Sequence, residues 1–456
     1  MGRAERLEVN NITQGVIWKQ ILRFFFPIVL GTFFQQLYNT VDAVVVGNFV
    51  GTAALAAVGG TTSTIINLLV GFFVGLSSGA TVIISQFYGA QDHEGVSRSV
   101  HTAIALALAG GVLLTVLGLA LAPQMLKLMN TPDDVLPNAI VYMRLYFIGV
   151  IPMFLYNIGS SILRAIGDSR RPLYILIVCC IVNIILDVFF VTVLEMGVAG
   201  VAVATMIAQL ISAVLVVALL MRAQTSYKLF PKRIRFYGNL LSSIIKIGLP
   251  TGIQSMMYSI SNLYIQASVN LYGTSVMAAW TALGKIDALF WMISTAFGIA
   301  ATTFVGQNFG AGRFDRVKTT IRSCMLMEFI FAFTFSGLLY LFGRVLFRLF
   351  TSDAQVVENG MQLMLYMCPY YFTFVAIEVL SGAMRGIGNS LAPMIMVGTG
   401  ICLLRVVWIF ITSQVAPSIA LIVYSYPVSW VVTTIMFLIY YFRGNWKSKY
   451  LPHASY

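Results

Sequence analysis

The stretch "LYNTVDAVVVG", residues 37–47, places one acidic side chain, Asp42, near the middle of a long apolar run. The run opens near Ile21 and continues well past Val50, which is too long for the apolar core of a signal peptide. Of the 456 residues, 59% are hydrophobic and only 10% are charged, whereas ordinary soluble domains are about 25% charged. The chain is therefore predicted to have lipid as its main solvent, and a carboxylate there is costly unless it has a function.

Twelve runs in the sequence are long and apolar enough to cross a membrane as helices. They lie at 16–46, 53–80, 98–121, 138–165, 170–194, 198–222, 240–269, 277–306, 319–345, 358–386, 391–412 and 421–443. A polar, basic stretch separates the sixth run from the seventh. The sequence thus predicts an all-α polytopic membrane protein with two pseudo-symmetric six-helix bundles. The expected domains are an N-lobe at 1–222, a cytoplasmic basic linker at 223–239 and a C-lobe at 240–456.

The formal net charge of +12 comes mostly from loops on one side of the predicted membrane. The loops on the other side hold few basic residues beyond Lys127, Arg344 and Arg348. Because cytoplasmic loops carry the excess of lysine and arginine, both termini and the linker are predicted to be cytoplasmic. The positive net charge is then explained by the orientation of the chain in the cell membrane. The expected partner is a lipid bilayer, not nucleic acid, and we expect a monomer.

The two halves of the chain repeat one another. "SQFYGAQ" at 85–91 corresponds to "GQNFGAG" at 306–312, and "LRAIGDSRRP" at 163–172 corresponds to "MRGIGNSLAP" at 384–393. Pro27 likewise corresponds to Pro250. The repeated loops lie on the same side of the membrane, so the halves share one orientation. Parallel repeats of this kind occur in transporters, with the substrate path between the halves.

Polar side chains inside the first-half helices fall on common faces. Asp187 follows Asn183 by four residues in "VNIILD", which places both on one side of a helix. Because such groups are costly against lipid, they are expected to face the interior of the bundle. The other members of the set are Gln35, Asn39 and Asp42 on the first helix, Asn157 on the fourth, and Thr205 and Gln209 on the sixth. Oxygen-rich side chains that converge in this way suit a hard cation or an exchangeable proton.

The second half lacks the two acids of the first. Ile265 and Trp408 stand at the positions equivalent to Asp42 and Asp187. The ion-coupling site is therefore predicted in the first half, although interhelical hydrogen bonding alone could also explain single polar residues. The five cysteines lie in apolar runs and the three histidines have no metal-ligand spacing, so we expect no disulfide framework and no cofactor beyond the transported H⁺ or Na⁺.

Ionisable groups also occur inside the predicted helices of the second half. They are Lys285, Asp287, Glu328, Glu378 and Arg405. Glu378 is the first candidate for contact with a cationic substrate, and internal ion pairing is an equally good explanation of these groups. Further cavity candidates are Asp287, an aromatic face at Tyr38, and Met256 and Met257, since methionine surfaces adapt to varied ligands.

The twelve helices in two sets of six, Pro27 and Asp42 in the first helix, and the motifs "SQFYGAQ", "RAIGDSRRP" and "VNIILD" together resemble the multidrug and toxic compound extrusion (MATE) family. The resemblance implies an antiporter that expels organic cations in exchange for Na⁺ or H⁺. It is nearest to the DinF-like and MepA-like branch, in which positions matching Asp42, Asn157, Asn183, Asp187 and Thr205 bind the cation. The NorM-like branch has an acid on the seventh helix, which this sequence lacks.

The expected mechanism couples the neutralisation of two buried carboxyl groups to a bend in the first helix. Asp42 and Asp187, removed from water together, should not both stay ionised at neutral pH unless a cation accompanies them. Pro27 lies about four turns before Asp42 and offers a hinge there. The alternatives are a lipid-linked oligosaccharide flippase, an exporter of a metabolite or organic acid on the same fold, an intramembrane enzyme and a channel. No nucleophile–base pair supports the enzyme.

Overall fold

The computed structural model describes residues 12–129 and 131–444, and within these ranges the chain is helical and contains no strand. The predicted termini, both placed in the cytoplasm by the sequence, lie largely outside the described residues. The helical segments are α1 Ile17–Phe49, α2 Ala54–Gly89, α3 His93–Leu128, α4 Leu136–Ile148 with Val150–Ala165, α5 Arg170–Val193, α6 Gly197–Arg222, α7 Gly238–Asn270, α8 Thr274–Gly310, α9 Phe314–Phe350, α10 Ala354–Gly386, α11 Leu391–Val415 and α12 Ile419–Arg443.

Ten of these segments are each long and apolar enough to cross a membrane, and the two parts of α4, bent by 48°, make an eleventh span when taken together. The remaining segment, α7, has 33 residues and is therefore about 50 Å long at about 1.5 Å per residue. Serine and amide side chains along its length lower its hydropathy. The prediction of an all-α polytopic membrane fold is confirmed.

The outward faces of the helices are apolar. In α9 only 22% of the most apolar window is buried, and Leu341 and Phe342 are 71% and 53% exposed. A contiguous apolar surface of this kind is rare on soluble monomers and is expected where lipid is the solvent. The polar and charged side chains inside the membrane segments must therefore be accommodated in the interior of each bundle.

Two helices begin earlier than the hydropathy pattern predicts because acidic side chains cap them. Asp92 accepts a hydrogen bond from the backbone N–H of Gly95 at 2.8 Å, so α3 starts at His93 and not near 98. Asp353 accepts from the N–H of Gln355 at 2.8 Å, so α10 starts at Ala354 and not near 358. A side-chain acceptor at this position satisfies an otherwise free N–H of the first turn.

The chain divides into two compact units. The first holds Arg23–Leu249, and the second holds Ile12–Leu22 with the described residues from Pro250 onward. These boundaries differ from the predicted lobes, since the start of α1 belongs to the second unit and the linker with the start of α7 belongs to the first. Both helices change unit close to a proline, Pro27 in α1 and Pro250 in α7.

Hydrogen bonds explain why the segment before α1 joins the second unit. Arg316 on α9 donates to the backbone carbonyls of Ile12 and Gly15, each at 2.9 Å. Arg313 donates to the carbonyl of Thr13 at 2.7 Å. Two guanidinium groups therefore hold the non-helical backbone before α1 through charge-assisted hydrogen bonds.

Contacts within the first unit explain why the linker and the start of α7 belong to it. The N–H of Phe230 donates to His101 Nε2 at 3.0 Å, which anchors the linker on α3. A Cβ at Gly248 would lie 2.4 Å from the carbonyl oxygen of Leu76, so the backbones of α7 and α2 approach too closely for any residue but glycine.

The repeat seen in the sequence has a structural counterpart in the broken helices. α4 is interrupted at Gly149 and α10 at the short 3₁₀ turn Cys368–Tyr370. Residue 370 follows residue 149 by 221 positions, which is the offset between the repeated loop motifs. The same break in the same repeat position indicates that each unit is one copy of a common six-helix bundle.

Candidate ion-coupling and substrate sites

The first unit buries two carboxyl groups together. Asp42 on α1 is 5% exposed and Asp187 on α5 is fully buried. The Asp42 carboxyl interacts with the side chains of Asp187, Asn183 and Thr205, and the Thr205 hydroxyl donates to Asp42 Oδ2 at 3.5 Å. Four of the five residues predicted for ion coupling are therefore brought together by α1, α5 and α6.

Most polar atoms of this cluster lack a hydrogen-bond partner among the described residues. The atoms are Asp42 Oδ1, both carboxylate oxygens of Asp187, and both amide atoms of Asn183. Buried polar atoms are normally paired, and leaving one unpaired costs about 1–3 kcal/mol. The cluster can offset this cost by sharing a proton between the carboxyls or by placing a hard cation among the oxygens. The described residues contain no group of three or more His, Cys, Asp or Glu that could hold a metal ion.

Local backbone structure sets the position of Asp187. Asn183 and Asp187 share one face of α5, and both are buried while the residues around them are partly or fully exposed. Two residues after Asp187 the helix widens into a π-helical stretch, Phe189–Val193, and Leu194 at its end donates to the carbonyl of Phe189 at 3.2 Å. π-helical turns inside α-helices are frequent at functional sites.

Asn157 is the predicted member that does not meet the acid pair in the described contacts. Its amide nitrogen donates to the carbonyl of Met153, one turn earlier in α4, at 3.0 Å. This is a local bond to the backbone one turn earlier, which needs no partner from another helix. A role for Asn157 in ion binding stays a prediction.

The residues of the first unit that the sequence predicted as substrate contacts differ in their contacts and in their exposure. Tyr38 interacts with Asp42 and Gln35, and Gln209 interacts with Tyr146. Asn39 is exposed. Gln35 is exposed as well, so the polar stripe of α1 points partly away from the bundle interior.

Sequence reasoning missed two tyrosines on α4. Tyr142 is 7% exposed and lies close enough to Asp42 and Asp187 for an electrostatic interaction. Its ring is 6.5 Å from that of Tyr146, one turn later. The spacing of the two tyrosines by four residues was the available signal, but in an apolar helix it equally describes ordinary packing.

The second unit contains a cavity of about 380 Å³. Its lining includes the predicted Asp287 and Glu378, together with Arg405 and the aromatic residues Tyr258, Trp280, Trp291, Phe374 and Tyr426. Met256 and Met257 are absent from the lining. They are partly buried, and a Cβ at Gly398 would lie 2.5 Å from Met257 Cε, which indicates a packing role for Met257.

The acidic groups of the second unit have partners. Trp291 Nε1 donates to Asp287 Oδ2 at 2.5 Å, and the Tyr371 hydroxyl donates to Oδ1. Glu378 Oε1 lies 3.8 Å from a guanidinium nitrogen of Arg385. Internal pairing, the alternative that the sequence left open, is therefore present at Glu378, while Asp287 is held by neutral donors.

The two remaining charged candidates of this unit differ in burial. Glu328 is fully buried and accepts a hydrogen bond from Ser294. Lys285 is exposed and is absent from the lining of the cavity. Neither therefore supplies a free charge to that cavity.

The internal duplication and the two sites are matched by known proteins. The MatE family model matches this chain twice, at residues 27–189 and 250–411. The chain belongs to the multidrug and toxic compound extrusion (MATE) family. The two matched segments begin at Pro27 and Pro250, so the repeat predicted from the sequence is confirmed. MATE proteins are membrane transporters, and the expectation of a transporter and not an enzyme is confirmed with them.

Relatives of this MATE chain cover nearly its whole length. A probable multidrug resistance protein of Bacillus subtilis, YoeA, is 29% identical over 98% of this chain and 97% of that protein. Another from the same organism, YpnP, is 28% identical over 86% of this chain and 87% of that protein. A crystal structure of a MATE protein in the bent conformation superposes with a TM-score of 0.90, at 22% identity over 97% of this chain and 99% of the other. The assignment to the DinF-like and MepA-like branch stays a prediction.

Proposed function

We propose that this MATE chain is a secondary active multidrug efflux antiporter that exports organic, mostly cationic compounds in exchange for H⁺ or Na⁺ by alternating access. The relatives named as probable multidrug resistance proteins support the export of drugs. The observation that carries the coupling is the buried pair Asp42 and Asp187, in which three of four carboxylate oxygens lack a hydrogen-bond donor among the described residues.

Coupling follows from the cost of keeping two acids buried together. Without a cation, the pair carries unpaired acceptors and mutual repulsion, so the packing of α1, α5 and α6 around it is unfavourable. A bound proton or Na⁺ removes that cost, and the two cation states favour different packings of the first unit. Each charge moved through about 100 mV supplies about 2.3 kcal/mol, to which the ion gradient adds.

The proposed moving part is α1. Pro27 lies inside this helix, and a proline removes one backbone hydrogen bond and permits a bend. Asp42 lies on the same helix beyond Pro27, so neutralisation of the carboxyl changes the bend and with it the first-unit cavity. Tyr38, Gln35 and Asn39 are the substrate contacts that this motion would alter.

The accompanying topology is part of the proposal. We expect both termini in the cytoplasm, because the basic loops are concentrated on one side of the cell membrane. We also propose that the chain acts as a monomer. A flippase for lipid-linked pyrophosphate needs several basic groups in its cavity, and Arg405 is the basic residue among those that line the described cavity. A channel would not need a neutralisable acid pair in one bundle.

The experiment that tests the proposal is cation-driven dye efflux in proteoliposomes, with Na⁺ and pH gradients imposed separately. Asp42→Asn should abolish gradient-driven ethidium transport because the amide can neither carry the negative charge nor exchange the proton of the Asp42 carboxyl. Asp133→Asn, which changes an exposed loop acid, is the matched control and should transport normally. Wild-type rates for Asp42→Asn under both gradients would overturn the coupling scheme.

A further inference from the structure

We propose that the second-unit cavity binds aromatic carboxylates, with Arg405 as the residue that recognises the anionic group. The inference rests on the proposed export function and adds a substrate class to it. It starts from the charged groups that line the cavity, in which neither acid forms an ion pair with the base.

Arg405 is the base of the cavity and has no ion-pair partner among the described residues. The residue is 2% exposed, and its Nε donates to Ser429 Oγ at 2.8 Å. Its two terminal nitrogens make no hydrogen bond to the described residues, and no carboxylate of these residues lies within 4.0 Å of it. Both terminal nitrogens are also absent from the fully enclosed unpaired atoms, so they border open space in the cavity that Arg405 lines.

The acids that line the same cavity do not form a direct ion pair with Arg405. Asp287 is held by Trp291 and Tyr371, and Glu378 faces Arg385, a different arginine. An arginine buried without a counter-charge is costly, and an anion that enters the cavity removes the cost. A guanidinium presents a planar fork of donors that matches a carboxylate in a bidentate geometry.

The surroundings of Arg405 are aromatic. The guanidinium carbon lies 4.0 Å from the ring centre of Tyr426 and 5.9 Å from that of Trp430. Trp280 lies beside Tyr426, with 5.9 Å between ring centres, and Trp291 and Phe374 also line the space. Flat aromatic walls accept a flat aromatic ligand, and a volume of about 380 Å³ is within the usual range for small-molecule sites.

The backbone of α11 delivers Arg405 to the cavity. A π-helical stretch, Gly398–Leu403, ends two residues before Arg405. In the helical part that follows, Arg405 and Ile409 are the buried residues and the others are partly or fully exposed. A π-helical stretch shifts the register of the residues after it, which accounts for an arginine on the inward face of a lipid-exposed helix.

A purely structural role is the competing explanation. In that case Arg405 would serve only to stack on Tyr426 and to hold Ser429, and any ligand would be indifferent to its charge. The two roles differ in one measurable property, which is the preference of the cavity for a carboxylate over a neutral analogue.

The test is a fluorescence titration of the purified full-length protein in detergent with dansylglycine, an aromatic carboxylate, and with dansylamide, its neutral analogue. Wild type should bind dansylglycine at least tenfold more tightly than dansylamide, because its carboxylate accepts charge-assisted hydrogen bonds from Arg405 that the neutral analogue cannot. Arg405→Gln should remove this preference, and Arg405→Lys should retain part of it. Arg348→Gln, at an exposed arginine, should match wild type.

Two outcomes would overturn the inference: equal affinity of wild type for both probes, or an unchanged preference in Arg405→Gln. If Arg405→Gln does not fold, as shown by size-exclusion chromatography, Ser429→Ala replaces it. That variant keeps the charge but frees the guanidinium, and it should weaken dansylglycine binding several-fold while leaving dansylamide unchanged.

The titration needs no ion gradient, so its failure is separable from failure of the export proposal. Loss of coupling in Asp42→Asn together with an unchanged Arg405→Gln variant would remove only the carboxylate site. Normal coupling in Asp42→Asn together with a lost carboxylate preference in Arg405→Gln would remove only the ion scheme.

Discussion

Asp187→Asn should make this protein more stable while removing its response to the coupling cation. The substitution keeps the shape of the side chain and removes one buried negative charge. The new amide nitrogen can donate to Asp42 Oδ1, which lacks a donor among the described residues in the wild type. The unfavourable part of the acid pair is thereby replaced by a hydrogen bond.

The size of the effect follows from the atoms involved. One hydrogen bond to a charged group contributes about 1.5–3 kcal/mol. In a unit of roughly 200 residues, about 1 kcal/mol changes Tm by about 2–4 °C. Asp187→Asn should therefore raise Tm by about 3–12 °C when no coupling cation is bound. In wild type, a cation at about 100 times its Kd should add about 2.7 kcal/mol, and the variant should lose most of this gain.

The assay is thermal unfolding of the purified protein in detergent, in choline or Na⁺ buffers at several pH values. Asp168→Asn is the opposite-sign control in the same unit, because Asp168 accepts from the N–H groups of Arg170 and Arg171 and pairs with the Arg171 guanidinium at 3.2 Å. That variant should lose about 1 kcal/mol. A drop in Tm for Asp187→Asn like that of Asp168→Asn, or an undiminished cation response, would refute the reasoning.

Two other substitutions test packing and motion. Gly382→Ala places a Cβ 2.5 Å from the carbonyl oxygen of Gly298, so it should lower the free energy of unfolding by about 1–3 kcal/mol. Its control is Gly337→Ala, whose Cβ would meet no atom within 4 Å and which should raise the free energy of unfolding by up to about 1 kcal/mol. Equal Tm values for the two variants would contradict the close approach of α8 and α10. Pro27→Ala restores a backbone hydrogen bond in α1 and should slow gradient-driven efflux without changing dye affinity, and an unchanged rate in proteoliposomes would argue against the hinge.

The apolar runs in the sequence and its internal repeat were sufficient to predict most of the fold. Apolar runs gave the helices, and repeated motifs gave the two bundles, because both signals are local in the chain. The capped starts at Asp92 and Asp353 were readable as well, since an acid before a helix is a known start signal. The exchange of Ile12–Leu22 into the second unit was not readable, because it depends on Arg316, about 300 residues away.

The candidate sites show the same limit. Asp42, Asn183, Asp187 and Thr205 were found because a polar group in an apolar helix is conspicuous. The partners of the second-unit acids divide into two kinds. Trp291 is four residues after Asp287 and Arg385 is seven residues after Glu378, so both were within reach of helix periodicity. Tyr371 approaches Asp287 from 84 residues away, and only the three-dimensional packing reveals it.

The divergence of the two copies has a physical reason. In a low-dielectric bundle, a free arginine beside a free acid pair would form a permanent ion pair, and neither group could then answer to a cation or a ligand. The described residues of this chain place the acid pair, Asp42 and Asp187, in the first unit. Arg405, which has no carboxylate of these residues within 4.0 Å, lies in the second. Because the acid pair and Arg405 lie in different copies of the duplicated bundle, they do not neutralise one another, and each stays available to its own ligand. A substitution that introduces a basic side chain next to Asp187 should therefore abolish ion-coupled transport while the protein still folds.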